Sequence, residues 1–139
     1  MNPEITSPAA NAELVRAGFQ AFNAGDADGC MSRIAPDLII NLAELPEPQH
    51  GRETWRQGFE MMRHAFPGLQ AYIEDIVAAR DKVAVRVRFR GTHTGEFLGF
   101  AATGRTVEYV SHEFYRIADG LIAEEWICSD MATLFRQLS

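Results

Sequence analysis

The chain has 139 residues, of which 47% are hydrophobic and 23% are charged, which indicates one globular domain and excludes a disordered or fibrous chain. Its formal net charge is −6 at pH 7, and its arginines cluster only in the short alternation Arg86, Arg88 and Arg90. Because an acidic surface repels phosphate, we expect no nucleic-acid partner.

Cysteine usage and hydropathy indicate the cellular compartment of the protein. Cys30 and Cys128 lie far apart in the sequence, which fits a reducing compartment better than a disulfide framework. No apolar run is long enough to span a membrane, and residues 1–11 lack the basic start of a signal peptide. The sequence therefore predicts a soluble, cytoplasmic, single domain over 1–139, with residues 1–10 flexible and no membrane partner.

Helical spacing dominates the first half of the chain. Leu14, Ala17 and Phe22 fall on one stripe and predict a helix from about residue 11, which Gly25 ends. Asp26 is a suitable N-cap for a short second helix. The pattern then predicts the end of that helix at 34, a strand at 38–40, a loop at 45–51 and a helix over 52–65.

Alternating apolar and polar residues dominate the second half. They predict strands over 72–77, 83–89, 107–117 and 121–130. The dipeptide Asp119-Gly120 between the last two runs is a strong hairpin signal. Helices followed by strands that are joined by tight turns predict an α+β fold with an antiparallel sheet.

A two-residue turn at Asp119-Gly120 also assigns the faces of the sheet. It places Glu113 opposite Trp126, and directly opposed residues share a face. A one-residue bulge would exchange part of this assignment. In this register one face carries Tyr109, Glu113, Trp126, Cys128 and Asp130, and the other carries His112, Phe114, Glu125 and Ile127.

Both faces of this predicted sheet mix apolar and polar side chains. The mixture suits a polar-lined cavity on one side and a partner subunit on the other, although a helix-covered core with polar strand ends is an open alternative. The apolar alternates around Val87 place Arg86 and Arg88 on the outer side. We predict a homodimer packed through the face that carries Phe114, with His112 or Arg88 near the contact.

A series of short motifs runs along the chain in a recognisable order. They are Ala21-Phe22-Asn23-Ala24-Gly25-Asp26, Ala65-Phe66-Pro67, Gly91-Thr92-His93-Thr94-Gly95-Glu96-Phe97, Thr103-Gly104-Arg105, Arg116-Ile117-Ala118-Asp119-Gly120, Glu124-Glu125-Trp126, Asp130 and Arg136-Gln137-Leu138. From about Leu14 to the C-terminus, the chain resembles the SnoaL-like polyketide cyclases. The resemblance implies the nuclear transport factor 2-like fold, in which a curved antiparallel sheet and N-terminal helices form a cone-shaped cavity. It also implies homodimers or higher oligomers.

The resemblance further implies an activity. The best-known members of the family close a ring in aromatic polyketide methyl esters by intramolecular aldol condensation, without a cofactor. Their general acid/base is an aspartate near the end of the last strand, a position that matches Asp130. The family's histidine on the preceding strand matches Glu113 here, with His112 one residue away.

Asp130 is the predicted catalytic residue. An aldol closure needs a base for the proton α to a carbonyl and an acid for the alkoxide, and one carboxylate in an apolar cavity can serve as both. Its alternative role is the N-cap of a closing helix from Met131. Glu113 is expected to orient substrate or share a proton, unless it is solvated at the cavity mouth. The predicted substrate-binding residues are Phe19, Trp55, Phe59, Tyr109, Glu113 and Trp126.

Other chemistries have little support in the sequence. The four histidines form no metal-binding spacing, and the glycines at 91, 95 and 99 lie in a β connection, so we expect neither a metal nor a cofactor. Epoxide hydrolysis on this fold needs an arginine inside the cavity, which outward Arg86 and Arg88 disfavour. A non-enzymatic protein that binds a hydrophobic small molecule stays an open alternative.

Overall fold

The computed structural model describes residues 5–139. The helices are α1 (Pro8–Asn23), α2 (Ala27–Met31), α3 (Arg52–Ala65) and α4 (Met131–Leu138). The strands are β1 (Ile34–Leu42), β2 (Gln49–His50), β3 (Gln70–Ala79), β4 (Lys82–Thr92), β5 (Thr106–Ala118) and β6 (Leu121–Ser129). No helix in this part of the chain is long and apolar enough to cross a membrane.

Local sequence accounts for where the helices begin. The Ser7 hydroxyl accepts a hydrogen bond from the backbone N–H of Ala10, and Pro8 occupies the first turn of α1. The prediction of a flexible segment over 1–10 is therefore wrong for 8–10, and residues 1–4 lie outside the described part. Asp26 caps α2 as predicted, but that helix ends at Met31 because the chain turns there to enter β1.

The six strands form one curved sheet in the order β2-β1-β6-β5-β4-β3. This confirms the α+β class. All neighbouring pairs are antiparallel except β1 and β6, which run parallel and are joined by the long connection that a parallel pair needs. Pro36 lies in β1 where the ladder is interrupted between Ile34 and Ile39, so its missing N–H breaks no regular pairing.

The core lies between the inner face of the sheet and the helices. Val83, Val87 and Val107 point inward from β4 and β5, and Leu134 joins the same core from α4; all four are fully buried. Arg86 and Arg88 alternate with the valines and lie on the outer face, as predicted. There they form ion pairs with acidic side chains, Arg86 with Asp75 and Arg88 with Glu74 and Glu108.

Asn23 ties the end of α1 to the edge strand β3. Its side-chain Nδ2 donates to the backbone oxygen of Ala71 at 2.9 Å, and its Oδ1 accepts from the Ala71 N–H at 2.7 Å. Gln70 Nε2 donates to the backbone oxygen of Asn23 at 3.0 Å. These three bonds hold α1 across the inner face and so set the depth of the space beneath it.

The β5–β6 hairpin contains the one large difference from the predicted register. The turn at Asp119-Gly120 pairs Ile117 with Ile122 as predicted, but Arg116 then pairs with Glu124, so Ala123 is an extra residue in β6. A bulge of this kind reverses the facing of every later residue. The predicted faces are therefore wrong beyond it: Glu125, Ile127 and Ser129 face inward, and Trp126 and Cys128 face outward.

Gly95 provides a test of how tightly the β4–β5 connection packs on α3. A Cβ at this position would lie 2.1 Å from the backbone oxygen of His64, which is far inside van der Waals contact. We expect Gly95→Ala to lower the free energy of unfolding by about 1–3 kcal/mol, measured by urea denaturation. The control Gly18→Ala, where nothing lies within 4 Å, should instead raise it by about 1 kcal/mol. Equal effects in both variants would contradict this packing.

Candidate active site

A cavity of about 280 Å³ lies between the inner face of the sheet and helices α1, α3 and α4. Trp55 and Phe59 line it from α3, and Tyr109 and Glu113 line it from β5. These four residues therefore lie where the sequence analysis placed them. Its wall is mostly apolar, and the polar groups concentrate where β5 and β6 run side by side.

Glu113 is one of two buried carboxyl groups in this wall, and its side chain accepts hydrogen bonds from two neighbouring hydroxyls. The residue is 4% exposed. Its Oε2 accepts a hydrogen bond from Ser111 Oγ at 2.7 Å, and its Oε1 accepts one from the Tyr115 hydroxyl. Burial raises the pKa of Glu113, and the two hydrogen bonds oppose that rise because they favour the carboxylate.

Glu125 is the second carboxyl group, and it reaches the cavity because of the bulge at Ala123. It is also 4% exposed. Burial and the neighbouring Glu113 raise its pKa from 4.5 to about 8, and no hydrogen bond from residues 5–139 stabilises its charged form. Glu125 lies opposite Tyr115 and diagonal to Glu113, at a Cα separation of roughly 7–8 Å for such neighbours.

The two carboxyl groups therefore differ in their environment although they share one cavity. Glu113 receives two donors and is the better carboxylate, whereas Glu125 receives none and is held neutral near pH 7. When the surroundings of two titratable groups keep one ionised and the other neutral, the first can act as a base and the second as an acid. The arrangement can take a proton from one atom of a ligand and give one to another.

The electrostatic character of the cavity limits what it can bind. Its ionisable lining groups are the carboxyls of Glu44, Glu113 and Glu125 and the hydroxyls of two tyrosines, and among residues 5–139 no arginine, lysine or histidine lines it. Burying an anion beside carboxylates without a countercharge is costly, so the cavity favours a neutral ligand. Within the same residues, His, Cys, Asp and Glu side chains form no group of three that could hold a metal ion.

Phe19 lies beside the cavity and does not line it. It borders an adjoining cleft of about 60 Å³ that also touches Trp55, Tyr115 and Glu125. Its ring packs edge-on against Tyr115, with 6.3 Å between the ring centroids. Phe19 therefore supports a cavity wall from behind.

Asp130 and Trp126 do not lie where the sequence analysis placed them. Asp130 is exposed at the start of α4, where its carboxylate accepts from the backbone N–H of Thr133 at 3.1 Å and from the Thr133 hydroxyl at 2.7 Å. These bonds lower its pKa, whereas the predicted acid/base needed burial and a raised pKa. Trp126 pairs with Phe114 on the outer face, because the bulge reverses its side.

Glu125, Tyr115 and Ser129 are polar cavity residues of β5 and β6 that the sequence analysis did not assign to the site. The signal that could have found them is the spacing of Ile122 and Ile127. These two apolar residues of one strand are five apart, an odd number, so both face inward only if one extra residue lies between them.

Comparisons with known proteins show the family of this chain. The family model for SnoaL-like polyketide cyclases matches residues 12–138. The chain is 28% identical over 141 residues to the aklanonic acid methyl ester cyclase DauD of Streptomyces sp. strain C5, with 99% of this chain and 83% of that protein covered. Over 129 residues it is 28% identical to the aklanonic acid methyl ester cyclase DnrD of Streptomyces peucetius, with 91% and 88% covered.

Solved structures give the same result. The crystal structure of wild-type IdmH from Streptomyces antibioticus superposes with a TM-score of 0.81 at 37% sequence identity, and the match covers 92% of this chain and 97% of IdmH. The nuclear transport factor 2-like fold that the resemblance implied is thus confirmed. The protein belongs to the SnoaL-like polyketide cyclase family.

Proposed function

We propose that the protein closes a ring in a neutral, hydrophobic, aromatic polyketide-type carbonyl compound by intramolecular aldol condensation, without a cofactor. The observation that carries this proposal is the pair Glu113 and Glu125, two buried carboxyl groups with opposite hydrogen-bonding environments in one apolar cavity. The relatives named as ester cyclases support a reaction of this class.

In the proposed reaction Glu113 gains one proton and Glu125 loses one. The Glu113 carboxylate removes a proton from the carbon α to a carbonyl, and the resulting enolate carbon attacks a second carbonyl of the same molecule. The new carbon–carbon bond leaves an alkoxide, which takes the proton of Glu125. Substrate and product have the same atoms and oxidation level, so no redox partner is needed, and proton exchange with water restores the pair.

The walls of the cavity support a flat, uncharged substrate. Trp55 and Phe59 stack with 5.4 Å between ring centroids, and Phe89 and Tyr109 stack at 5.3 Å, so two aromatic pairs flank the space. Because the ionisable lining groups are acidic, we propose that the cyclase accepts an ester and discriminates against the free carboxylate.

The alternatives from the sequence differ in what they need from the cavity. An epoxide hydrolase-like site needs an arginine between two carboxylates, and none of residues 5–139 supplies one to this cavity. A non-enzymatic binding protein needs the apolar walls but gains nothing from two buried carboxyl groups, which are costly to bury. The paired acids therefore favour the enzyme.

We also propose a homodimer that packs through the outer face of the sheet. Phe114 is 50% exposed there and pairs with Trp126, and these two rings form an apolar patch; Val110 and Tyr72 are exposed farther along the same face. Exposed apolar side chains on a sheet face are typical of a protein–protein contact. The arginine–carboxylate pairs around it would form the polar rim.

The proposed acid and base are tested by replacing each carboxyl with an amide of the same shape. Glu113→Gln and Glu125→Gln should each lower turnover of an aromatic polyketide methyl ester by roughly two to four orders of magnitude, the usual contribution of general acid–base catalysis. Asp130→Asn is the matched control, because Asn caps a helix nearly as well as Asp, and it should keep full activity. Full activity in both glutamine variants would favour the binding protein, and loss of activity in Asp130→Asn would return the catalytic role to Asp130.

The raised pKa of Glu125 predicts a specific dependence of stability on pH. Between about pH 4.5 and 8 the unfolded chain ionises this group while the folded protein keeps it neutral. Its contribution to stability therefore falls as pH rises through this window, by up to about 1.4 kcal/mol per pH unit. In urea unfolding, the free energy of unfolding of Glu125→Gln should rise relative to that of the natural protein from pH 5 to pH 8.

The control for this measurement is Glu47→Gln, which removes a carboxyl from an exposed loop. The difference between its free energy of unfolding and that of the natural protein should stay nearly constant over the same pH range. If this difference is also constant for Glu125→Gln, Glu125 is not held neutral by burial.

The proposed dimer is tested by light scattering at micromolar concentration. The natural protein should have the mass of a dimer, and Phe114→Arg should be monomeric because it places a charge in the apolar patch. Leu45→Arg, at an exposed apolar residue outside the sheet face, should leave the mass unchanged. A monomeric natural protein would disprove the dimer.

A further inference from the structure

The β4–β5 connection contains a tight turn with an unusual residue at its first central position. Phe97 and Phe100 exchange both backbone hydrogen bonds, at 3.0 and 2.8 Å, so Leu98 and Gly99 form a two-residue turn. Both have positive φ, 48° for Leu98 and 90° for Gly99. Turns of this shape favour Asn, Asp or Gly, because a large side chain strains a positive φ.

The protein's other turns show what normally occupies such a position. Among residues 5–139, the other non-glycine residues with positive φ are Arg80 and Asp119, in the β3–β4 and β5–β6 turns. Both are polar and exposed. Leu98 is the apolar exception, and it is 55% exposed, so burial in the folded protein does not compensate for its backbone conformation.

The surroundings of Leu98 hold it at the edge of the cavity. Its side chain lines the 280 Å³ cavity. Phe97 before it is buried against Phe66, with 5.3 Å between ring centroids, and Phe100 after it stacks on Phe135 of α4 at 5.7 Å. Glu96 Oε1 accepts from the Gly99 N–H at 2.5 Å, which fixes the turn from within. The turn is therefore anchored on both sides.

We propose that Leu98 is a ligand-contacting, specificity-determining residue that covers the apolar part of the bound substrate at the cavity mouth. This rests on the proposed function, since it takes the 280 Å³ cavity as the substrate site. The residue combines local conformational cost, large apolar exposure and a position in the cavity wall. A bound aromatic compound would cover the exposed part of the leucine side chain and so compensate for that cost.

The test separates the side chain's contact with a ligand from its effect on folding. Leu98→Asn removes the apolar group and places a favoured residue in the turn. Asp119→Asn is the control, because it places the same residue at a position of positive φ in the β5–β6 turn, away from the cavity. Each variant is titrated with N-phenyl-1-naphthylamine, a neutral aromatic probe whose fluorescence rises in apolar surroundings, and unfolded in urea.

We expect Leu98→Asn to raise the Kd of the probe about fivefold or more while its urea midpoint stays equal or increases. Asp119→Asn should leave the Kd of the probe unchanged. The proposal is overturned if the natural protein shows no saturable binding of the probe, if Leu98→Asn binds as tightly as the natural protein, or if its affinity falls only together with its urea midpoint.

Failure of the proposed chemistry would look different from failure of this proposal. If Glu113→Gln and Glu125→Gln keep their turnover, the acid–base roles are lost while the effect of Leu98→Asn on probe affinity still stands. If those variants lose turnover and Leu98→Asn binds normally, the chemistry stands and the role of Leu98 is lost.

Discussion

The position of one extra residue in β6 determines the character of the whole cavity. Ala123 shifts the β5–β6 register by one, and the alternation of side chains then carries that shift to the end of the strand. With a regular hairpin, Trp126 would fill the space under the helices and Glu125 would lie on the outer face. The bulge instead opens a cavity, supplies it with a second carboxyl group and adds an indole ring to the proposed contact surface.

The two buried glutamates oppose folding, and the surrounding structure has to offset them. Burial favours the neutral form of each carboxyl, and Glu113 makes Glu125 still harder to ionise. Ser111 and Tyr115 relieve only Glu113. This difference lowers stability, but it gives the proposed reaction a base and an acid from two side chains of the same type.

Features set by local chemistry can be predicted from the sequence, whereas the facing of the residues in β6 depends on the strand register. Helix α3, the turn at Asp119-Gly120 and the outward arginines follow from spacing and turn residues alone, and the inner position of Glu113 follows because β5 alternates without a break. The inner position of Glu125 depends on a bulge that no glycine or proline marks, so that only the odd spacing of Ile122 and Ile127 indicates it. The sequence alone leaves both roles of Asp130 open, because an aspartate before a helix has the same sequence pattern whether it caps the helix or faces a cavity.

The bonds between Asn23 and Ala71 have a consequence for how copies of the protein meet in solution. Strand β3 forms one border of the sheet, and a border strand offers unpaired backbone groups to any other extended chain. The amide of Asn23 occupies the N–H and the oxygen of Ala71 as a neighbouring strand would, and the opposite border is only the two residues of β2. One border is thus blocked at Ala71 and the other is short, which favours the broad face of the sheet as the contact surface of the proposed dimer.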